Sequence, residues 1–112
     1  MELREEKSGK AVIFFLKGRL DSTSSPEVEK RILEVIGEAI KHILLDFSAL
    51  DYISSAGIRI LVHCHKELEK KGGEIFLVSV PKPIENVLYI TGFLPYFKIF
   101  EGKTQALEAL SS

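Results

Sequence analysis

Two short segments, Ile43-Leu44-Leu45-Asp46-Phe47 and Ile75-Phe76-Leu77-Val78-Ser79-Val80, constrain the fold more than any other feature of the chain. Neighbouring side chains in a strand point to opposite faces. A strand that is apolar on both faces needs cover on both sides, as in the interior of a mostly parallel sheet flanked by helices. The segments around them read as helices. Pro26 to about Ala39 carries Val28, Ile32, Val35, Ile36 and Ala39 on one face. About Ser55 to Lys71 carries Gly57, Ile60, Leu61, Cys64 and Leu68 on one face, and Gly72-Gly73 stops it.

The remaining elements follow the same rules. Leu3 to Lys7 and Ala11 to Leu16 read as strands joined by a turn at Ser8-Gly9-Lys10, and Gly18-Arg19-Leu20-Asp21 leads out of the second. Ser24 and Glu27 match a capping box, with Pro26 suited to the first helical turn. Pro81-Lys82-Pro83 opens a helix through about Ile90, which Gly92 closes. Ile99-Phe100 reads as an edge strand, and Thr104 to Leu110 as a last helix. The expected fold is α/β: a mixed, mostly parallel β-sheet with an initial β-hairpin and about four helices, in the order β-β-α-β-α-β-α-β-α. It occupies residues 1–112 as a single domain.

Composition narrows the function. The formal net charge is −1 and no basic stripe is visible, which gives nucleic-acid binding no electrostatic support. No apolar run approaches the roughly 18 residues of a membrane span. The charged start Met1-Glu2-Leu3-Arg4-Glu5-Glu6 and the single Cys64 lead to the expectation of a cytoplasmic protein.

In open α/β sheets, sites form beyond the carboxyl ends of the strands. Two loops are expected there, Gly18 to Ser25 and Ser48 to Ser55, bringing Asp21, Asp46, Ser48, Ser54 and Ser55 toward one edge. Taken singly, these residues close turns and cap helices; it is their convergence that points to function. Ser55 falls in the first turn of a helix, where unpaired N–H groups and the helix dipole favour negative charge. Ile58 and Val62 lie to the same side as Ser55 and well off the core stripe. They form either a small docking patch or a surface covered by another helix.

Other chemistries find little support. His63-Cys64-His65 cannot converge on one ion, because residues at i and i+2 of a helix diverge, so no metal site is expected. Ser54 and Ser55 have no glycine two residues upstream and no base within reach, so a nucleophile elbow is not expected. No Gly-rich phosphate loop is present. Cofactors and catalytic residues are therefore expected to be absent. Tyr89, Phe93, Tyr96 and Phe97 form an aromatic group whose expected role is packing.

Gly18-Arg19-Leu20-Asp21, Leu44-Leu45-Asp46-Phe47-Ser48, Tyr52-Ile53-Ser54-Ser55-Ala56-Gly57-Ile58 and Gly72-Gly73 together carry a resemblance. Over nearly its whole length the chain resembles the STAS domain, in particular the stand-alone bacterial anti-sigma factor antagonists. That family usually has Asp-Ser-x-Gly at the start of the second helix, with the serine as phosphoacceptor. The resemblance places Ser55 at the acceptor position and Gly57 at the glycine, with Ser54 where Asp is common and as second choice of acceptor. It implies a partner switch without catalysis by the chain itself. The partners would be an anti-sigma factor with serine kinase activity and a phosphatase acting on the modified form. The contact surface would comprise Asp21, Ser24, Asp46, Ser48, Ser54, Ser55, Ala56, Gly57, Ile58, Arg59 and Val62. The alternative is a STAS subunit of a lipid-transport complex or signalling scaffold, without a phosphorylation switch.

Overall fold

The computed structural model describes residues 1–111. A five-stranded sheet has the order β1-β2-β3-β4-β5, with β1 (Glu2–Ser8), β2 (Ala11–Leu20), β3 (His42–Ile53), β4 (Glu74–Val78) and β5 (Lys98–Phe100). β1 runs antiparallel to β2, closing a hairpin with Ser8 opposite Ala11. Every other neighbouring pair is parallel. The helices are α1 (Ser25–Ile36), α2 (Ser55–Glu69), α3 (Lys82–Ile90) and α4 (Lys103–Ser111), and a single 3₁₀ turn spans Leu94–Tyr96. The element order is the one the sequence predicts, apart from that turn.

Alternation along β3 sorts the interior into two layers. Ile43, Leu45, Phe47, Leu50 and Ile53 join Val28, Ile32, Leu61, Cys64, Leu68, Ile84 and Leu88 in the larger core beneath α1, α2 and α3. Leu44 joins Ala11, Ile13, Phe76, Val78 and Ala106 in a smaller core beneath α4. Each fully buried Leu, Ile or Phe contributes about 1.5–3 kcal/mol of hydrophobic stabilisation before entropy is counted. Cys64 is buried among these side chains, and loss of solvent pushes its thiol up to about 12.

Two strands are longer than the sequence predicts, and this matters for the site. β2 continues to Leu20 and β3 to Ile53, so the expected loop at Ser48–Ser55 is mostly strand and the one at Gly18–Ser25 shrinks to the turn after Leu20. Register shifts between Phe15 and Lys17 and between Gly18 and Arg19 hide the alternation. Gly18 takes a positive φ of 110° there. At its other end α1 stops at Ile36, capped at Gly37, which leaves Ala39 exposed instead of on the core face.

Candidate functional site

β3 ends at Ile53 and α2 begins at Ser55, leaving Ser54 as the single residue between them. Ser54 is extended (φ −95°, ψ 172°) and caps α2: its Oγ accepts the Gly57 N–H at 3.2 Å. Its own N–H donates to the Leu20 carbonyl at 2.9 Å, and its carbonyl accepts from Ile58 at 3.0 Å. Ser54 thus ties β2, β3 and α2 together. Ser55 is exposed, and its side chain has no hydrogen-bond partner among the described residues. Of the two serines, only Ser55 presents an uncommitted hydroxyl at the helix start.

Gly57 serves the same junction by absence of a side chain. A Cβ on it would lie 2.7 Å from the Leu20 carbonyl oxygen and 2.9 Å from Leu20 Cγ. Any larger residue would push the first turn of α2 away from the end of β2. Gly57 is buried, so it supports the β2–α2 junction from beneath and is not itself part of the exposed surface.

Ser55, Ile58, Arg59 and Val62 on α2 face Thr91 and Phe93, just past the end of α3, across a groove of about 300 Å³. The two sequence alternatives for Ile58 and Val62 resolve toward cover. Ile58 is only 3 % exposed and belongs to the main core, while Val62 is half-buried against it. Arg59 is exposed and Ala56 is half-buried. Gly92 turns the chain there with φ 82°, and the Phe93 N–H bonds back to the Leu88 carbonyl at 2.9 Å.

At the end of α3, Tyr89 and Ile90 are 72 % and 79 % exposed. This corrects the packing role expected of Tyr89. Phe93 and Tyr96 do pack, with ring centroids 5.8 Å apart, and Phe97 is buried. Sequence reading missed Thr91 as a neighbour of Ser55 and the exposure of Tyr89 and Ile90. A wheel of α3 carries the signal: Ile84 and Leu88 mark its core stripe, and Tyr89 and Ile90 fall outside it.

Asp21 and Ser24 form the turn between β2 and α1. Asp21 Oδ1 accepts the Thr23 and Ser24 amides at 3.0 and 3.1 Å. The Ser24 and Thr23 amides, with Arg19 nearby, hold the Asp21 carboxyl below the usual carboxylate range. Ser24 Oγ donates to the Arg19 carbonyl at 2.7 Å and accepts from the Asp21 N–H at 3.0 Å. The expected Ser24–Glu27 capping box therefore does not form, because Ser24 is helical in conformation and its hydroxyl is used within the turn. Asp21 and Ser24 stay next to the serines through Leu20.

Asp46 and Ser48 do not join them, which corrects the expected convergence. Asp46 sits between Leu45 and Phe47, whose side chains enter the main core, so it faces the other side of the sheet. There it accepts the Ser48 N–H at 2.8 Å, and both residues line a separate groove with Arg4, Phe15 and Lys17. His63, in turn, reaches Glu29 of α1 at 2.9 Å and Glu67 at 3.4 Å. His65 instead packs edge-on against Phe97.

The family pattern described as the STAS domain matches residues 2–106. The chain belongs to the STAS domain family. This STAS domain is 29% identical over 112 residues to BtrV of Bordetella bronchiseptica, described provisionally as an anti-sigma factor antagonist; the match covers 100% of this chain and 97% of BtrV. It is 26% identical to the anti-sigma F factor antagonist of Paenibacillus polymyxa, over 98% of this chain and 95% of that one. The unphosphorylated form of SpoIIAA, an anti-sigma factor antagonist, superposes with a TM-score of 0.86 at 20% identity, covering 98% of this STAS domain and 96% of SpoIIAA. Phosphorylated SpoIIAA, a Bacillus cell fate determinant, gives 0.77 at 21% identity, over 97% and 99% of the two chains. Both likenesses concern the fold.

Proposed function

We propose that this STAS domain is an anti-sigma factor antagonist that works as a single-domain, non-catalytic partner switch in the cytoplasm. Unmodified, it binds an anti-sigma factor with serine kinase activity, which frees a sigma factor for transcription. The kinase transfers the γ-phosphoryl group of ATP to Ser55 Oγ, with loss of the hydroxyl proton and release of ADP. The phosphoprotein dissociates, and a phosphatase hydrolyses the ester to restore Ser55. One observation carries this reading: Ser55 is exposed in a groove at the start of α2, while the Ser54 hydroxyl is committed to the Gly57 N–H. The names borne by BtrV and the Paenibacillus relative support it.

On this reading one phosphate acts through its charge, without refolding the domain. The group adds about −1.5 to −2 charges at pH 7. Placed under a docked partner, it costs several kcal/mol in desolvation and like-charge contact. A cost of about 3 kcal/mol weakens binding more than a hundredfold. The test is a pull-down of the anti-sigma factor with and without ATP, followed by phosphosite mapping in wild type, Ser54→Ala and Ser55→Ala. Loss of the mass gain in Ser55→Ala alone is the expected result. Full modification of Ser55→Ala, or capture of a membrane transporter ATPase with no phosphorylation, would overturn the reading.

A further inference from the structure

Arg59 stands four residues beyond Ser55 on α2 and lines the same groove. Residues at that spacing are neighbours on a helix, with Cβ atoms about 5–6 Å apart. The other arginines are all engaged. Arg4 lies over the Phe15 ring at 4.2 Å, Arg19 lies over Tyr52 at 4.1 Å, and Arg31 holds Glu5 at 2.6 and 2.8 Å. Arg59 is exposed, and among the described residues its guanidinium has no carboxylate, carbonyl or ring partner. The rest of the groove, Ile58, Val62, Thr91 and Phe93, offers no acid to compete for it. The acids of α2, Glu67 and Glu69, lie two turns further on and meet His63, His65 and Lys70.

We propose that Arg59 is the built-in counter-charge for a phosphate on Ser55, closing over it as an intrachain pair that holds the modified group against α2. The proposal rests on the reading of Ser55 as the acceptor. The order anion at i, cation at i+4 is the favourable one on a helix. A guanidinium presents two parallel N–H donors to phosphate oxygens, which a lysine ammonium cannot do. Modification then changes the charge of the Ser55–Arg59 pair from +1 to about −0.5 to −1. It also withdraws the guanidinium from anything docked in the groove.

The test uses full-length chain with phosphoserine installed at position 55 during translation, so that the sample exists whether or not a kinase acts there. Phosphorus NMR follows the second ionisation of the phosphate in wild type, Arg59→Gln and Arg59→Lys. The wild-type phosphate is expected to titrate about 0.3 pH unit lower than in Arg59→Gln, with Arg59→Lys between them. The Arg59 Nε–H resonance should move in step with the phosphate, and about 1 M salt should erase the difference. Identical titrations in wild type and Arg59→Gln would overturn the pairing. Arg59 is exposed, so the unmodified variants should melt with wild type; a variant that unfolds would instead assign Arg59 a structural role and overturn the proposal. Failure of a kinase to modify Ser55 would remove the switch but leave this titration difference standing, so the two readings fail separately.

Discussion

Adjacent serines with different work mark the junction of β3 and α2. Ser54 Oγ satisfies one of the orphan N–H groups of the helix, that of Gly57. Its replacement by alanine removes an N-cap and is expected to cost about 1 kcal/mol, a fall of about 3–6 °C in melting temperature. Ser55→Ala removes an exposed hydroxyl without a partner and is expected to leave the melting temperature within about 2 °C. Thermal melts of the two variants side by side check this. A larger loss in Ser55→Ala would mean that its hydroxyl, not that of Ser54, holds the helix start.

Between elements, α1 and α2 are joined at the surface by His63 of α2 and Glu29 of α1, with Glu67 one turn beyond His63. The hydrogen bond to Glu29 raises the His63 imidazole above its ordinary value. A group raised in the folded state stabilises fully below its unfolded value, near pH 6.5, and loses that contribution as pH rises through the folded value. The pair is half-exposed, so its worth is screened to about 0.5 kcal/mol. Wild type is expected to melt about 2 °C lower at about pH 9 than at about pH 6 through this pair. His63→Gln should lose that pH dependence, as thermal melts across the range would show. The β1–α1 contact has the opposite sign. Arg31 holds the Glu5 carboxyl below its ordinary range, so that contribution is lost as pH falls.

For the whole molecule, the groove beside Ser55 exists because the turn after α3, at Thr91 and Phe93, comes back against α2. One wall, Ile58, is part of the core, while Tyr89 and Ile90, at the end of α3 just before Thr91, are open to solvent. Ile58→Glu buries an unpaired charge and is expected to cost about 3–5 kcal/mol, a large share of the roughly 5–15 kcal/mol of stability usual for a domain. Ile90→Asp should leave the fold intact and weaken capture of the anti-sigma factor at least tenfold. Circular dichroism paired with the pull-down separates the two. Binding by Ile90→Asp at wild-type strength would remove the exposed end of α3 from the contact surface.

Element order, the parallel sheet and the position of Ser55 were legible in the chain because period and punctuation are local properties. Apolar runs at 43–47 and 75–80, glycines at 72–73 and 92, and prolines at 81 and 83 act on their immediate neighbours. The same locality explains what was illegible. Leu20 and Ile53 end strands that read as loops, because the register shifts in the β2–β3 pairing put extra residues into β3 and break the alternation that would reveal it. The separation of Asp46 from Ser55 follows from sheet faces. The cover over Ile58 and the meeting of Ser55 with Thr91 and Phe93 follow from how two helices, 27 residues apart at their starts, pack on one sheet. The amino-acid order by itself determined which hydroxyl begins α2. Only tertiary packing decided what surrounds it, because contacts between distant segments depend on the burial of the whole core and not on any stretch of chain alone.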